Sequence, residues 1–331
     1  ERWGEDAGPA IARLHCAAAL LAQLDVLAAL AEVAEREGYT RPEMTDEFAL
    51  EITAGRHPVV ERMMPRDKFI PNDVMLTEEA RLIVLTGPNM AGKSTILRQV
   101  GLIVLLAQIG SFVPAQRARV GVIDRLFTRV GASDNLVRGQ STFMVEMAET
   151  SAILHTATRR SLVLLYEIGR GTSTYDGVSI AWAVSEHLHD ALGCKAIFAT
   201  HYHELTQLAD ALAAVRNYTV DVRDVGGEVL FLHRLRPGGA DRSYGIEVGR
   251  LAGLPAAVLT RARTILRSLE GGHLLALNTA RAKAPDEQLS LSLPSAPHPA
   301  IERLRSLDTD AMTPLQAIQE LAELTRQARE D

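Results

Sequence analysis

The rhythm of apolar and polar positions changes near residue 45. Residues 10–36 are apolar on most helical faces, with Glu32, Glu35, Arg36 and Glu37 towards the end and Gly38 as a stop, which predicts one long helix. From about Phe48 short apolar runs alternate with helical stretches. Strands are predicted at 82–86, 162–166 and 195–199, each followed by a loop and a helix. Such alternation predicts an α/β fold with a mostly parallel sheet flanked by helices, whose ligands sit at the carboxyl ends of the strands. Beyond Arg242 the strand signals vanish. Helices over 245–252 and 256–270, joined by Gly253-Leu254-Pro255, form a predicted helix-turn-helix. No basic cluster lines its second helix, so packing or dimerisation suits it better than reading a DNA groove. Residues 271–299 hold Gly271-Gly272 and four prolines and are predicted to be a flexible linker. A last amphipathic helix over 313–328 follows Thr313-Pro314 and reads as an association module.

Composition narrows the class. A chain of 331 residues, 47% hydrophobic and 23% charged, can bury a substantial core in about two domains. Arg13, His15, Gln23 and Asp25 interrupt the Ala/Leu-rich segment 10–34, so no membrane span is expected, and no signal-peptide pattern is present. Cys16 and Cys194 are far apart in apolar surroundings, which predicts reduced core thiols and a cytoplasmic protein. Lys and Arg total 35 against 41 Asp and Glu, a net charge of −6, so the chain as a whole lacks the electrostatic footprint of a nucleic-acid binder. It opens on Glu1-Arg2-Trp3 and enters a helical pattern almost at once, as a piece of a longer protein would.

The densest chemistry is Gly87-Pro88-Asn89-Met90-Ala91-Gly92-Lys93-Ser94-Thr95, between the apolar run 82–85 and Ile96-Leu97-Arg98. Strand, glycine-rich loop and helix in that order make a phosphate-binding loop. Backbone N–H groups and a helix N-terminus converge on one anion, Lys93 reaches the outer phosphates, and Ser94 can hold Mg²⁺.

Three further segments lie where such a fold places its site. Glu167 ends the apolar strand 162–166; beside a phosphate loop, and ahead of Gly169-Arg170-Gly171, it is a candidate to orient or deprotonate an attacking water, although a Glu in that position is often merely solvated. His201 follows the strand 195–199 and is a candidate polar contact to the γ-phosphate or water. His203, two positions on, lacks the i, i+4 spacing of a helical zinc site and is equally well a structural histidine. Ser141 is a predicted N-cap of an apolar helix, and its hydroxyl could also meet a nucleotide presented by another subunit.

Together these strings resemble the C-terminal part of the MutS family of DNA mismatch-repair ATPases. The resemblance rests on Thr86–Thr95, Ser141–Met147, Glu167–Gly177, Ala199–Leu205 and Ser243–Gly245, in family order. It implies an ABC-type P-loop NTPase, with 1–44 as the end of a helical lever and 45–242 as the ATPase domain. Residues 243–270 would be a helix-turn-helix dimerisation segment, 271–299 a linker and 300–331 a C-terminal association segment. By the resemblance, Gly87 to Thr95 hold the phosphates and Mg²⁺ of ATP, and Phe69, Ile70 and His233 flank the adenine. Ser141 reaches the partner subunit's nucleotide, and Asp176 stands in a loop between the two sites. It further implies a homodimer with composite sites, or a tetramer through the C-terminal helices, and MutL as a partner. Mismatched DNA would be read by N-terminal domains absent from this sequence, and Gln288-Leu289-Ser290-Leu291 resembles a motif for the replication sliding clamp. A relative devoted to recombination intermediates would carry the same module.

One position departs from the pattern. Where the family has an Asp that supports the metal, this chain has Tyr166. A neutral phenol is a poor Mg²⁺ ligand, so hydrolysis is expected to be impaired while nucleotide binding through Lys93 survives. Tyr166 is read as an introduced replacement, as the mark of a member that binds but barely hydrolyses ATP, or as a change that a water compensates; the otherwise complete motif set favours the first. A nucleotide-binding, non-hydrolysing signalling module is therefore the alternative to a working ATPase.

Overall fold

The protein is described by a computed structural model covering residues 2–65, 68–88, 91–130, 141–225, 228–239 and 244–280. It divides into two compact units, 1–263 and 264–331. The first begins with helix α1 (Arg2–Glu37). Gly38, with φ +62°, ends it: the N–H groups of Gly38 and Tyr39 turn back to the carbonyls of Glu35 and Ala34. Arg56 caps the last turn by donating to the carbonyls of Glu37 and Gly38, both at 3.1 Å.

Two sheets follow. The smaller is mixed, in the order β1 (Glu43–Thr45), β5 (Arg117–Gly121), β2 (Leu50–Gly55), β3 (Asn72–Leu76). The larger has the order β10 (Glu228–Pro237), β9 (Val215–Val225), β4 (Leu82–Thr86), β8 (Lys195–Ala199), β7 (Leu162–Tyr166), β6 (Leu126–Arg129). Its strands are parallel except β10, which returns antiparallel to β9. The three strands expected at 82–86, 162–166 and 195–199 lie side by side at its centre. They are apolar on both faces because both faces are covered.

Alternation along β4 shows how. Ile83 and Leu85 join a core with Leu97, Val100, Ile103 and Val104 of α2 (Lys93–Gln108) and with Leu50, Val74 and Leu76 of the small sheet. Leu82 and Val84 face the other way, onto Ile153 of α3 (Thr142–Thr156) and onto Ala181 and Val184 of α4 (Thr174–His187). Helix α2 thus lies between the two sheets, with its N-terminus delivered to the end of β4.

After the short α5 (Leu208–Ala211) and the β9–β10 hairpin come α6 (Gly245–Leu251) and α7 (Ala256–Ala280), joined by a four-residue turn. Helix α7 runs ten residues past the expected end at 270, through Gly271-Gly272; Leu274, Leu275, Ala276 and Leu277 are good helix formers and the first proline comes at Pro285. The remainder of the expected linker and the association segment 300–331 lie outside the described residues.

By length and composition alone Ala10–Glu37 is apolar enough to cross a membrane, which does not overturn the expectation of no span, and none of that window is buried. One expectation about α1 does need correction. Cys16 is exposed on it, since no element in the described residues packs over that stretch, whereas Cys194 is buried and its thiol is pushed up to about 11 by burial.

Candidate nucleotide site

The loop between β4 and α2 is built for close approach to an anion. Gly87 and Gly92 take φ of +124° and +99°, conformations that L side chains rarely adopt. A Cβ on Gly92 would also stand 3.1 Å from Nδ1 of His233. Asn89 and Met90 lie outside the described residues; Pro88 accepts from the N–H of Ala91 at 3.1 Å. Lys93 is fully buried. Its ammonium donates to the carbonyl of Gly87 and lies 3.5 Å from Oε1 of Glu167. Burial lowers the Lys93 pKa, and the Glu167 carboxylate opposes that shift.

Glu167 has a φ of +55°, one of three non-glycine residues with positive φ among those described; His233, at +52°, is another. Strain of this kind gathers at functional sites, where surrounding contacts hold it in place. The second carboxylate oxygen of Glu167 pairs with Arg170. His201 follows β8; burial of its ring, then the positive charges of Arg170, Lys93 and His203, hold its pKa at about 4 although its outer face is open. It is therefore neutral at pH 7. His203 opens a 3-10 turn and is exposed.

Tyr166 sits half-buried at the end of β7. It packs against the core beneath the loop, and its side faces a second cavity shared with Glu167, Arg170, Arg129 and Thr142. Burial first, then the Glu167 charge, raises its phenol above the ordinary value, so it stays protonated. Among the described residues expected to support a metal, Ser94 thus offers a hydroxyl, Tyr166 a neutral phenol and Glu167 a carboxylate already shared by two cations. A hard divalent ion prefers anionic oxygens, so this set does not fit a tightly held Mg²⁺.

Phe69 and Ile70, with His233 far from them in sequence, line one cavity of about 270 Å³ together with Gly92, Ser94 and Thr95 of the loop. His233 stands in a register shift of β10, between Phe231 and Leu235, and its Nδ1 lies 2.9 Å from the carbonyl of Ala91. Ser141 caps α3 as expected, accepting from the N–H of Met144 at 3.2 Å, and is exposed. Asp176 is not in a loop: Ser173 caps α4 and donates to the Asp176 carboxylate at 2.8 Å, which places Asp176 in the first helical turn.

Several residues at the site carry no separate signal in the sequence. Glu146 of α3, buried, accepts from the N–H of Gly169 and lies 3.6 Å from the equally buried Arg129. Tyr202 donates to the carbonyl of the same Gly169 at 2.9 Å. A Cβ on Gly169, whose φ is +94°, would meet the backbone of Gly177 at 2.6 Å. One residue, Gly169, thereby ties α3, the loop after β7, α4 and the loop after β8. An acidic residue inside an apolar helix was the available hint.

The family description "MutS domain V" matches residues 83–270. The chain is 56% identical to the DNA mismatch repair protein MutS of Anaeromyxobacter dehalogenans over 94% of its length, and 54% identical to that of Myxococcus xanthus over 95%. With the protein of the same name from Symbiobacterium thermophilum the identity is 51% over 97%. The chain spans 38%, 38% and 37% of the length of these three relatives.

Proposed function

Because the chain belongs to the MutS family of DNA mismatch-repair proteins, we propose that it is the ATP-binding module of such a protein. The observation that carries this is a shared cavity: the loop residues Gly92, Ser94 and Thr95 and the flat or apolar groups of Phe69, Ile70 and His233 line the same space. Phosphates go to the loop, with Lys93 turning from Gly87 and Glu167 to meet them, and the adenine goes between Phe69 and His233. Glu167 and neutral His201 address the attacking water.

Members of this family are ATPases. In this chain the step is slow, because Tyr166 offers the metal no charge and Glu167 is held by Lys93 and Arg170. That arrangement favours a second reading, a module that binds ATP and signals by conformation with little turnover. In the parent protein the module works in a dimer, with Ser141 on the partner's nucleotide. ATP there drives sliding-clamp formation on mismatched DNA and recruitment of MutL, and 288–291 contact the replication clamp. The exposed leucines of α1, including Leu14, Leu21 and Leu24, would then be covered by the preceding lever helices.

Binding is tested by displacing a fluorescent ATP analogue from the chain and from Lys93→Ala. Affinity in the low-micromolar to millimolar range that Lys93→Ala reduces at least about tenfold supports the reading. Equal binding by both contradicts it.

A further inference from the structure

The wall of the 270 Å³ cavity includes a side chain two positions beyond Ile70 that is not itself among the residues expected to flank the base. Asn72 opens β3 and is buried, and both ends of its amide are used. Oδ1 accepts from the N–H of Leu235 at 2.6 Å; Nδ2 donates to the carbonyl of His233 at 3.0 Å and to that of Ile70 at 3.2 Å. The register shift between Phe231 and Leu235 takes β10 out of its ladder with β9 there, and a bulge leaves backbone groups needing other partners. Asn72 supplies them. It fastens the strained backbone that carries His233 to the segment that carries Ile70, the two sides of the cavity.

An amide suits this task because it donates and accepts at once. Asp at the same position would accept from Leu235 but turn a carboxylate oxygen towards two carbonyls. Ala would remove the partner of the part-buried Leu235 N–H and His233 carbonyl.

Resting on the reading of this cavity as the base pocket, we infer that Asn72 is the positioning residue for base recognition: it sets the separation of Ile70 and His233 and so the part of ATP affinity that comes from the nucleoside. The phosphate loop is not attached to it directly. Loss of Asn72 therefore weakens what the base contributes and leaves what the phosphates contribute.

The test compares ATP with inorganic tripolyphosphate, which has the phosphates and no base, as competitors against a fluorescent ATP analogue. The whole chain, Asn72→Ala and Asn72→Asp are measured at a temperature where circular dichroism shows each folded. The expected result is that ATP's advantage over tripolyphosphate shrinks about tenfold in both variants, with tripolyphosphate itself changed less than about twofold. Parallel weakening of both competitors would mark Asn72 as a general structural residue and overturn the inference, as would an unchanged advantage. If neither competitor displaces the analogue from the unsubstituted chain, the nucleotide-binding reading itself falls, and the inference with it.

Discussion

The Lys93 ammonium and the Glu167 carboxylate lie 3.5 Å apart, with side-chain exposures of 0% and 2%. Each is the other's counter-charge, and each is also a group that a bound nucleotide would need. Under the proposed function, phosphate replaces carboxylate as the partner of Lys93.

Glu167→Gln replaces the counter-charge of a buried ammonium with a neutral amide, while the Gly87 carbonyl still accepts from that ammonium. The cost is about 3 kcal/mol of stability, typical of breaking a buried pair from one side. ATP should restore most of it by supplying negative charge. Thermal denaturation with and without ATP reads this directly, and a variant that gains no more from ATP than the parent contradicts the exchange of partners.

The clamp on Gly169 gives a second prediction. Glu146→Ala leaves its N–H unsatisfied and Tyr202→Phe leaves its carbonyl so, each costing about 1–3 kcal/mol. Both hold the backbone of one residue, Gly169, so the double variant should cost less than the sum, by at least about 0.5 kcal/mol. Denaturant titrations of the four proteins decide it; additive costs would mean that the two hydrogen bonds hold the loop independently.

The central sheet and the loop were legible because their signals are local. Leu82 to Thr86 is an uninterrupted apolar run, and Gly87 to Thr95 carries its chemistry in its spacing. The small sheet was not, since β1 has only three residues and its partner β5 comes more than seventy positions later. Resemblance to a family drew attention to Phe69, Ile70 and His233, but their meeting depends on Asn72 pairing with a segment 161 residues away. Asp176 was misplaced because the capping signal of Ser173, three residues before it, was not read. No periodicity announces that Glu146 and Tyr202 will reach the backbone of the same residue.

His201 makes a pH prediction. Its pKa lies at about 4 in the folded chain against an ordinary 6.5. As pH falls through 6.5 the unfolded chain takes up a proton that the folded chain refuses, so stability present above 6.5 declines until about pH 4, where both forms are charged. His201→Asn should flatten that part of the profile, and the imidazole resonance should titrate near 4. Titration near 6.5 would show that neither burial nor Arg170 and Lys93 act on it.

The most direct test of the account is ATP hydrolysis by this chain and by Tyr166→Asp at equal concentration, with binding measured alongside in Mg²⁺ and in EDTA. The account predicts that both bind ATP, that Mg²⁺ strengthens binding by Tyr166→Asp more than by the parent, and that Tyr166→Asp hydrolyses it faster by about a hundredfold or more. Equal rates for the two proteins would contradict it.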